Sequence, residues 1–167
     1  MDDSTSIIIS SHNVNGFNHS REFLYSLCDK YPNSIRAIQE HWLAPPYKKQ
    51  QGVNRLRSLH PDFDGFGNSA MGKDNETRVR TGRPYGGTGF LYNKRHSACI
   101  KPLVTYKHER VSVLQLNSDI GDVILINGYL PFYNTRDLQN QKIVYQETLA
   151  YIRELTDFTK IDSISQN

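Results

Sequence analysis

The sequence has few of the features that mark secreted, zinc-binding or membrane proteins. Its 167 residues include only two cysteines, Cys28 and Cys99, which give neither a disulfide framework nor a zinc-site spacing. The acidic N terminus has an apolar run of only three isoleucines, residues 7–9, so we predict no signal peptide and no membrane span. No internal repeat is present. These absences favour an intracellular protein, cytoplasmic or nuclear, with reduced thiols.

The composition predicts a single globular domain. Hydrophobic residues make up 37% of the chain and aromatic residues 11%, which is enough to form a core. We therefore assign residues 1–167 to one α/β domain, with a polar tail over residues 161–167 that we expect to be disordered. The net charge of +3 permits a polyanionic partner but does not argue for one.

The first forty residues predict a strand–helix–strand unit. Residues 7–14 form a β-branched apolar run that ends in a turn sequence, and residues 34–40 form a second such run. Between them, Asn18 or Ser20 is the predicted N-cap of a helix that ends before Pro32. Its apolar residues recur at helical spacing: Phe23, Leu24, Leu27, Cys28 and Tyr31.

Asn13 and Glu40 follow these two strands, where a right-handed crossover brings strand ends to one edge of the sheet. Carboxylate and amide oxygens are ligands that Mg²⁺ prefers, so the pair could share a metal site. On spacing alone the simpler interpretation is favoured, in which Glu40 is an exposed carboxylate and Asn13 supports a turn.

The middle of the chain predicts a largely antiparallel sheet, followed by a long helix. Residues 123–126 are apolar at every position, so we expect them in the interior of a sheet, with Tyr129 emerging at the end of the strand. The helix should bury one face, formed by Leu138, Tyr145, Leu149, Ile152 and Leu155.

Four ordered segments together resemble the endonuclease/exonuclease/phosphatase superfamily. They are "IIISSHNVNGF", "IRAIQEHWL", "GGTGFLYN" and "VILINGYLP", which is followed by a helix. "QEHWL" and "NGYLP" make the chain most similar to the endonuclease domains of non-LTR retrotransposons. The resemblance implies the N-terminal half of a four-layer α/β sandwich, in which two mixed β-sheets are flanked by helices.

The resemblance also assigns roles to residues that match the family motifs. Glu40 matches the glutamate that holds the catalytic divalent ion, Mg²⁺ or Mn²⁺, and Asn13 matches an asparagine that lines the same site. Asn15 stands where some members carry an aspartate. Tyr129 matches a tyrosine that contacts the scissile phosphate, although a core aromatic with its hydroxyl at the surface would explain it too. The implied reaction is metal-assisted hydrolysis of DNA or another phosphodiester.

Two family motifs are absent, an Asp-x-Asn motif and a terminal Ser-Asp-His motif. We therefore expect weakened metal binding and no catalysis by this chain alone. The alternatives are one half of a working nuclease, a domesticated nucleic-acid-binding module, and a phosphatase- or sphingomyelinase-like member. Half a sandwich would also leave a sheet face exposed, which predicts self-association. We interpret the remaining candidate acids and histidines as ordinary loop or surface residues: Asp119, Asp122, Asp162, His41, His60, His96 and His108.

Two basic clusters are candidates for phosphate contacts. Arg78, Arg80 and Arg83 lie in a glycine-containing segment before a predicted strand, and Lys48 belongs to the second cluster. Solvated loops balanced by nearby acidic residues explain both clusters equally well.

Overall fold

A computed structural model describes residues 6–44, 52–70, 86–103, 108–119, 121–131 and 138–164. Within these ranges the chain forms a strand–helix–strand unit, then five further strands and a long helix. The elements are β1 (Ile8–Asn13), α1 (Phe17–Lys30), β2 (Ser34–Gln39), β3 (Phe63–Asn68), β4 (Thr88–Asn93), β5 (Ile100–Leu103), β6 (Val111–Ser118), β7 (Gly121–Gly128) and α2 (Leu138–Ile164). Short 3-10 turns occupy Gly52–Leu56 and Lys94–His96.

The strands form two sheets, as predicted for an α/β fold of this kind. The first is mixed and has the order β1-β2-β4-β3, in which only β1 and β2 are parallel. The second has the order β5-β6-β7 and is antiparallel in the described part of the chain, so the predicted α/β fold with two sheets and helices is confirmed. An apolar core lies between the sheets, formed by Ile35, Phe90, Tyr92, Ile100, Leu114 and Leu116.

A second apolar core lies on the other face of the first sheet, beneath α1. Phe17, Leu24 and Cys28 of the helix are buried there against β2 and β3 residues such as Ile38 and Phe63. Phe23 and Tyr31, predicted on the same apolar face, are exposed. The helix buries a narrower stripe than its sequence suggests.

The N-cap of α1 differs from both predicted residues. Gly16 takes that position with a φ of 100°, a conformation that glycine adopts without steric cost. Ser20 instead donates its hydroxyl to the carbonyl oxygen of Val14, at 2.5 Å. Asn18 accepts a hydrogen bond from Arg55. Both polar side chains are thus used outside the helix terminus.

Arg36 is a buried charge at the other end of α1, with 1% of its surface exposed. Its guanidinium donates to the carbonyl oxygens of Leu27 and Tyr31, where the helix ends, and lies over the ring of Phe63. A cation at this terminus satisfies carbonyl groups that have no partner within the helix. The Cys28 thiol lies 3.9 Å from the same guanidinium.

The helix α2 is turned relative to the predicted face. Leu138, Tyr145 and Leu149 are exposed, whereas Thr148 is fully buried. The side of α2 that faces the rest of the protein includes Tyr151, whose ring stacks on His108 with ring centroids 5.1 Å apart. The helix extends to Ile164, into the segment predicted to be a disordered tail. No helix in the described ranges is long and apolar enough to cross a membrane.

The position of β7 also corrects a prediction. The sequence places its residues 123–126 inside a sheet, but in the described part of the chain β7 pairs only with β6 and forms an edge. Val123 is 38% exposed, and residues 124–126 are half-buried. β1 is the corresponding edge of the first sheet. A groove of about 360 Å³ lies between the two edge strands and is lined by residues of both.

Candidate functional site

Asn13 and Glu40 lie at neighbouring strand ends, as the strand–helix–strand unit predicts. Asn13 is paired in register with Gln39, the residue before Glu40. The two segments that follow β1 and β2 stay joined beyond that pair, because the Gly16 amide donates to the Glu40 carbonyl oxygen at 2.7 Å. The exposed side chain of Asn13 accepts a hydrogen bond from the Asn15 amide at 3.2 Å. Asn13 thus supports the turn that starts the loop, and it borders the site.

The backbone is strained where β1 and β2 end. Asn15, Glu40 and Trp42 have φ angles of 47°, 58° and 55°, in the left-handed region that side chains other than glycine rarely adopt. Each such residue costs on the order of 1–3 kcal/mol and clusters of them are typical of functional sites. Because of this conformation, the side chains of Glu40 and Trp42 do not follow the alternation between two sheet faces that a regular strand would give.

The Glu40 carboxylate is held by donors from two segments. The Trp42 indole donates to Oε2 at 2.5 Å, and the Gly86 amide lies 3.4 Å from the same oxygen. The Tyr129 hydroxyl interacts with the same carboxylate, which is one cause of the raised pKa of Tyr129. Glu40 follows β2 and Tyr129 follows β7, and the ends of these two strands are joined by the hydrogen bond from Gln39 to Asn127 at 2.5 Å.

Tyr129 is a protonated phenol under ordinary conditions. Burial, the hydrogen bond to Glu40 and the charge of Glu40 raise the pKa of Tyr129 to about 12, against the opposing effect of Arg110. The Arg110 guanidinium lies 5.6 Å from the centre of the Tyr129 ring. The site therefore combines a carboxylate, a phenolic donor and a cation.

His41 is buried behind the site, contrary to its interpretation as a surface residue. Its Nδ1 accepts from the Leu43 amide at 2.9 Å, so its Nε2 carries the proton and donates to the Asn68 carbonyl oxygen at 3.0 Å. Burial lowers the pKa of His41 to about 4. A Cβ on Gly87 would lie 2.3 Å from the ring, so only glycine leaves room for this histidine.

His60 is likewise buried rather than at the surface, and it pairs with Asp29 at 3.0 Å. Lys48, Arg78, Arg80 and Arg83 lie outside the described residues. The phosphate contacts predicted for these four remain predictions.

Sequence patterns did not single out Trp42, Arg110 or Asn127. Trp42 belongs to the "QEHWL" motif and is the only tryptophan of the chain, which was the one available signal. The described residues hold no group of three or more His, Cys, Asp or Glu side chains that could bind a metal together. A metal at Glu40 would therefore depend on one carboxylate, amide or backbone oxygens, and water.

The fold was compared with known proteins. No family model matches the chain, and no curated protein matches it. Solved structures do match. The 3′-5′ exonuclease NExo from Neisseria meningitidis has a TM-score of 0.57 at 15% identity, covering 92% of this chain and 52% of that chain. A variant of the Neisseria 3′ phosphatase NExo, bound to product DNA hairpin, gives 0.56 at 17% identity, covering 90% and 52%.

A third match is the AP endonuclease LMAP from Leishmania major, with a TM-score of 0.54 at 13% identity, covering 77% of this chain and 41% of that chain. The chain thus spans about half the length of these solved structures. The chain has the fold of these exonuclease, phosphatase and AP endonuclease structures, over about half of their length.

Proposed function

We propose that the chain carries a metal-dependent phosphodiesterase site of the DNA nuclease type, centred on Glu40. The observation that carries this proposal is the hydrogen bond from Gln39 to Asn127 at 2.5 Å, which brings together the ends of β2 and β7 just before Glu40, a candidate metal ligand, and Tyr129, a phenolic donor. DNA is the proposed partner, since each of the three solved structures described above is named for an exonuclease, a DNA-bound phosphatase or an AP endonuclease.

The donor set suits Mg²⁺, or Mn²⁺, but is sparse. These ions take oxygen ligands and commonly keep several waters beside one or two carboxylates. Glu40 supplies the carboxylate and Asn13, at the neighbouring strand end, supplies an amide oxygen. When bound, such an ion neutralises charge on a phosphate and makes water a better nucleophile. Weak binding is expected, because the Trp42 indole already donates to the same carboxylate.

The protein groups have separate roles in this proposal. Tyr129 keeps its proton, and its hydroxyl turns from Glu40 to donate a hydrogen bond to a phosphate oxygen, which stabilises the charge that builds up in the transition state. Arg110 adds a positive charge beside the Tyr129 ring. The Gly86 amide and the Trp42 indole orient the Glu40 carboxylate.

We further propose that this chain alone binds the ion without efficient hydrolysis. The sequence has no Asp-x-Asn or Ser-Asp-His motif, and loss of members of a cooperating catalytic set typically costs several powers of ten in rate. Derivation from a retrotransposon endonuclease is the proposed origin, supported by the "QEHWL" and "NGYLP" segments. Half of a longer nuclease and a phosphatase- or sphingomyelinase-like enzyme are the alternatives.

The metal site is tested by titrating Mg²⁺ while recording Trp42 fluorescence. The indole donates to Glu40, so ion binding at the carboxylate should change the emission. Glu40→Gln should weaken the response at least tenfold. Asp122→Asn is the matched control, because Asp122 is an exposed carboxylate bonded to Gln115 at 2.7 Å and should leave the response intact. An identical response from Glu40→Gln would overturn the metal assignment.

Catalysis is tested by nicking of supercoiled plasmid in Mg²⁺, with phosphomonoester and sphingomyelin substrates in parallel. We expect no turnover above background from residues 1–167. Turnover of plasmid that disappears in Glu40→Gln would contradict the proposed inactivity while supporting the site. Turnover confined to the other substrates would favour the alternatives.

Nucleic-acid binding without catalysis is the second candidate function, favoured by the arginines of the glycine-containing segment. Each phosphate that they neutralise should release counterions, so affinity should fall with a steep logarithmic dependence on salt. Replacement of Arg78, Arg80 and Arg83 by alanine should flatten that slope. The same slope in parent and variant would return these residues to the solvated-loop interpretation.

Besides DNA, we propose a second copy of this chain as a partner, bound through the exposed strand edges. Ile8 and Ile9 on β1 are 46% and 53% exposed, and in the described part of the chain β7 pairs with no strand on the side of the same groove. Exposed edges of this kind pair with other strands. Solution mass should rise with protein concentration, and Ile9→Lys should restore the monomer. A concentration-independent monomer in the parent would refute this part of the proposal.

A further inference from the structure

Asn127 is the one fully buried position on an otherwise exposed or half-buried strand. Its side chain is 3% exposed, whereas its neighbours on β7 are half-buried or exposed. It points into the space between the sheets. Most of that space is filled by the apolar core, so a buried amide here needs hydrogen-bond partners to offset its desolvation.

The Asn127 amide group uses its donors and its acceptor on the opposite sheet. Nδ2 donates to the carbonyl oxygens of Ile38 and Gly89, at 3.0 and 2.8 Å. Ile38 and Gly89 are register partners in β2 and β4, so one side chain bridges two strands. Oδ1 accepts from Gln39 Nε2 at 2.5 Å, and Gln39 is in turn bonded to Ser11 on β1. We name the Asn127 and Gln39 side chains the cross-sheet amide pair.

The cross-sheet amide pair lies next to the candidate site in the chain. Gln39 immediately precedes Glu40, and Asn127 is two residues before Tyr129. The Tyr129 amide also donates to the Arg110 carbonyl oxygen at 2.8 Å, which fixes the chain on the β6 side. The end of β7 is thus held from both sides just before Tyr129, and the end of β2 is held just before Glu40.

The hydrogen-bond pattern distinguishes this pair from ordinary core packing. Apolar contacts are non-directional and allow one strand to slide along another. An amide that bonds two carbonyl groups and a second amide keeps its bonds in only one position of β7 relative to the opposite sheet. An apolar residue of similar size could fill the same volume. What it could not do is fix where the end of β7 meets the ends of β2 and β4.

We infer that Asn127 is a positioning residue, which fastens the end of β7 to β2 and β4 and thereby sets the contact between Tyr129 and Glu40. The inference rests on the proposed function of that contact. Asn127 touches neither the proposed metal position nor a substrate. It acts through Gln39 and through Gly128, the one residue that connects it to Tyr129.

The test uses Trp42 as a reporter on the full chain. As the only tryptophan, it gives one indole N–H resonance in a proton–nitrogen NMR spectrum, and that group donates to Glu40. Tyr129→Phe removes the hydroxyl that interacts with Glu40 and should shift this resonance in the parent. The same change is then made in a Gln39→Leu/Asn127→Leu background, where both amides become apolar groups of similar size, a replacement that can be nearly neutral for stability.

The expected result is that the shift caused by Tyr129→Phe falls to less than half in the background without the pair. Leu125→Ala is the matched control. Leu125 lies on the same strand and packs against the same core, so this variant loses stability without losing the amide bonds, and it should keep the full shift. An undiminished shift in the double-leucine background would overturn the inference. Asn127→Ser, which leaves one hydroxyl donor, provides the same comparison if the double variant does not fold.

A second measurement separates this inference from the proposed function. Mg²⁺ affinity should fall about 10–100-fold in the double-leucine variant, the usual effect of losing a residue that orients a ligand. If the parent binds no Mg²⁺, the proposed metal site fails, but the indole measurement still decides whether Asn127 sets the Tyr129–Glu40 contact. If Mg²⁺ binds equally to parent and variant, the positioning role fails and the metal site stands.

Discussion

Two adjacent glycines before β4 allow a matched test of how the site is supported. Gly86 and Gly87 have φ angles of 78° and 87°, so alanine at either position is strained. That strain costs about 1–2 kcal/mol for a left-handed residue. A Cβ at Gly86 would meet nothing within 4 Å, whereas one at Gly87 would lie 2.3 Å from His41 Cε1 and 2.7 Å from Nε2.

The expected difference between the two variants comes from His41. The ring is fully buried and bonded at both nitrogens, so it can move only by breaking its bonds to Asn68 and Leu43. Overpacking of this kind costs about 1–3 kcal/mol. Gly87→Ala should therefore lower the free energy of unfolding by about 2–5 kcal/mol, against about 1–2 kcal/mol for Gly86→Ala.

Urea unfolding followed by circular dichroism measures both free energies, and Trp42 emission gives a second probe at the site. Both variants lie in the segment before β4 and share the backbone strain, so their difference isolates the contact with His41. Equal losses in the two variants would refute the reasoning, because they would show that His41 moves aside freely.

Three further predictions concern residues around the site. Between pH 6.5 and 4 the unfolded chain binds a proton at His41 and the folded chain does not. The free energy of unfolding should therefore decrease by up to about 3 kcal/mol as the pH is lowered through this range, and the decrease should be smaller in His41→Gln. Gly16→Ala would place a Cβ 2.4 Å from Trp42 Cε3, so it should both destabilise the fold and shift the Trp42 emission; unchanged emission would contradict the contact. Asn68→Ala removes donors to the His108 and Val111 carbonyl oxygens and should lower the melting midpoint, with a loss of about 1–3 kcal/mol, whereas the exposed Asn117→Ala should leave it nearly unchanged.

The part of the site that could be predicted from sequence is the part that strand order determines. A strand–helix–strand unit has one favoured hand, so the proximity of Asn13 and Glu40 follows from the order of apolar runs alone. The register of Asn13 with Gln39 agrees with that expectation. The meeting of Glu40 with Tyr129 needs the second sheet, and only the family resemblance pointed to it.

The remaining differences depend on long-range contacts that a local pattern does not contain. The apolar stripe of α2 has helical spacing, but its orientation depends on long-range contacts such as the stacking of Tyr151 on His108. The apolar run in β7 predicts burial on both faces, yet the described chain supplies a neighbouring strand on one side only. The left-handed backbone at Glu40 has no signal in its own residue type.

The burial of Cys28 against Arg36 makes its thiol a probe of local unfolding of α1. Burial raises the pKa of the Cys28 thiol to about 11, and its side chain is 1% exposed, whereas Cys99 is exposed. A thiol reagent at neutral pH should therefore modify Cys99 within its ordinary reaction time and Cys28 only when α1 separates from β2. The slow phase of labelling measures how often that separation occurs. Its rate would report the motion of the helix that connects the two strands behind Asn13 and Glu40.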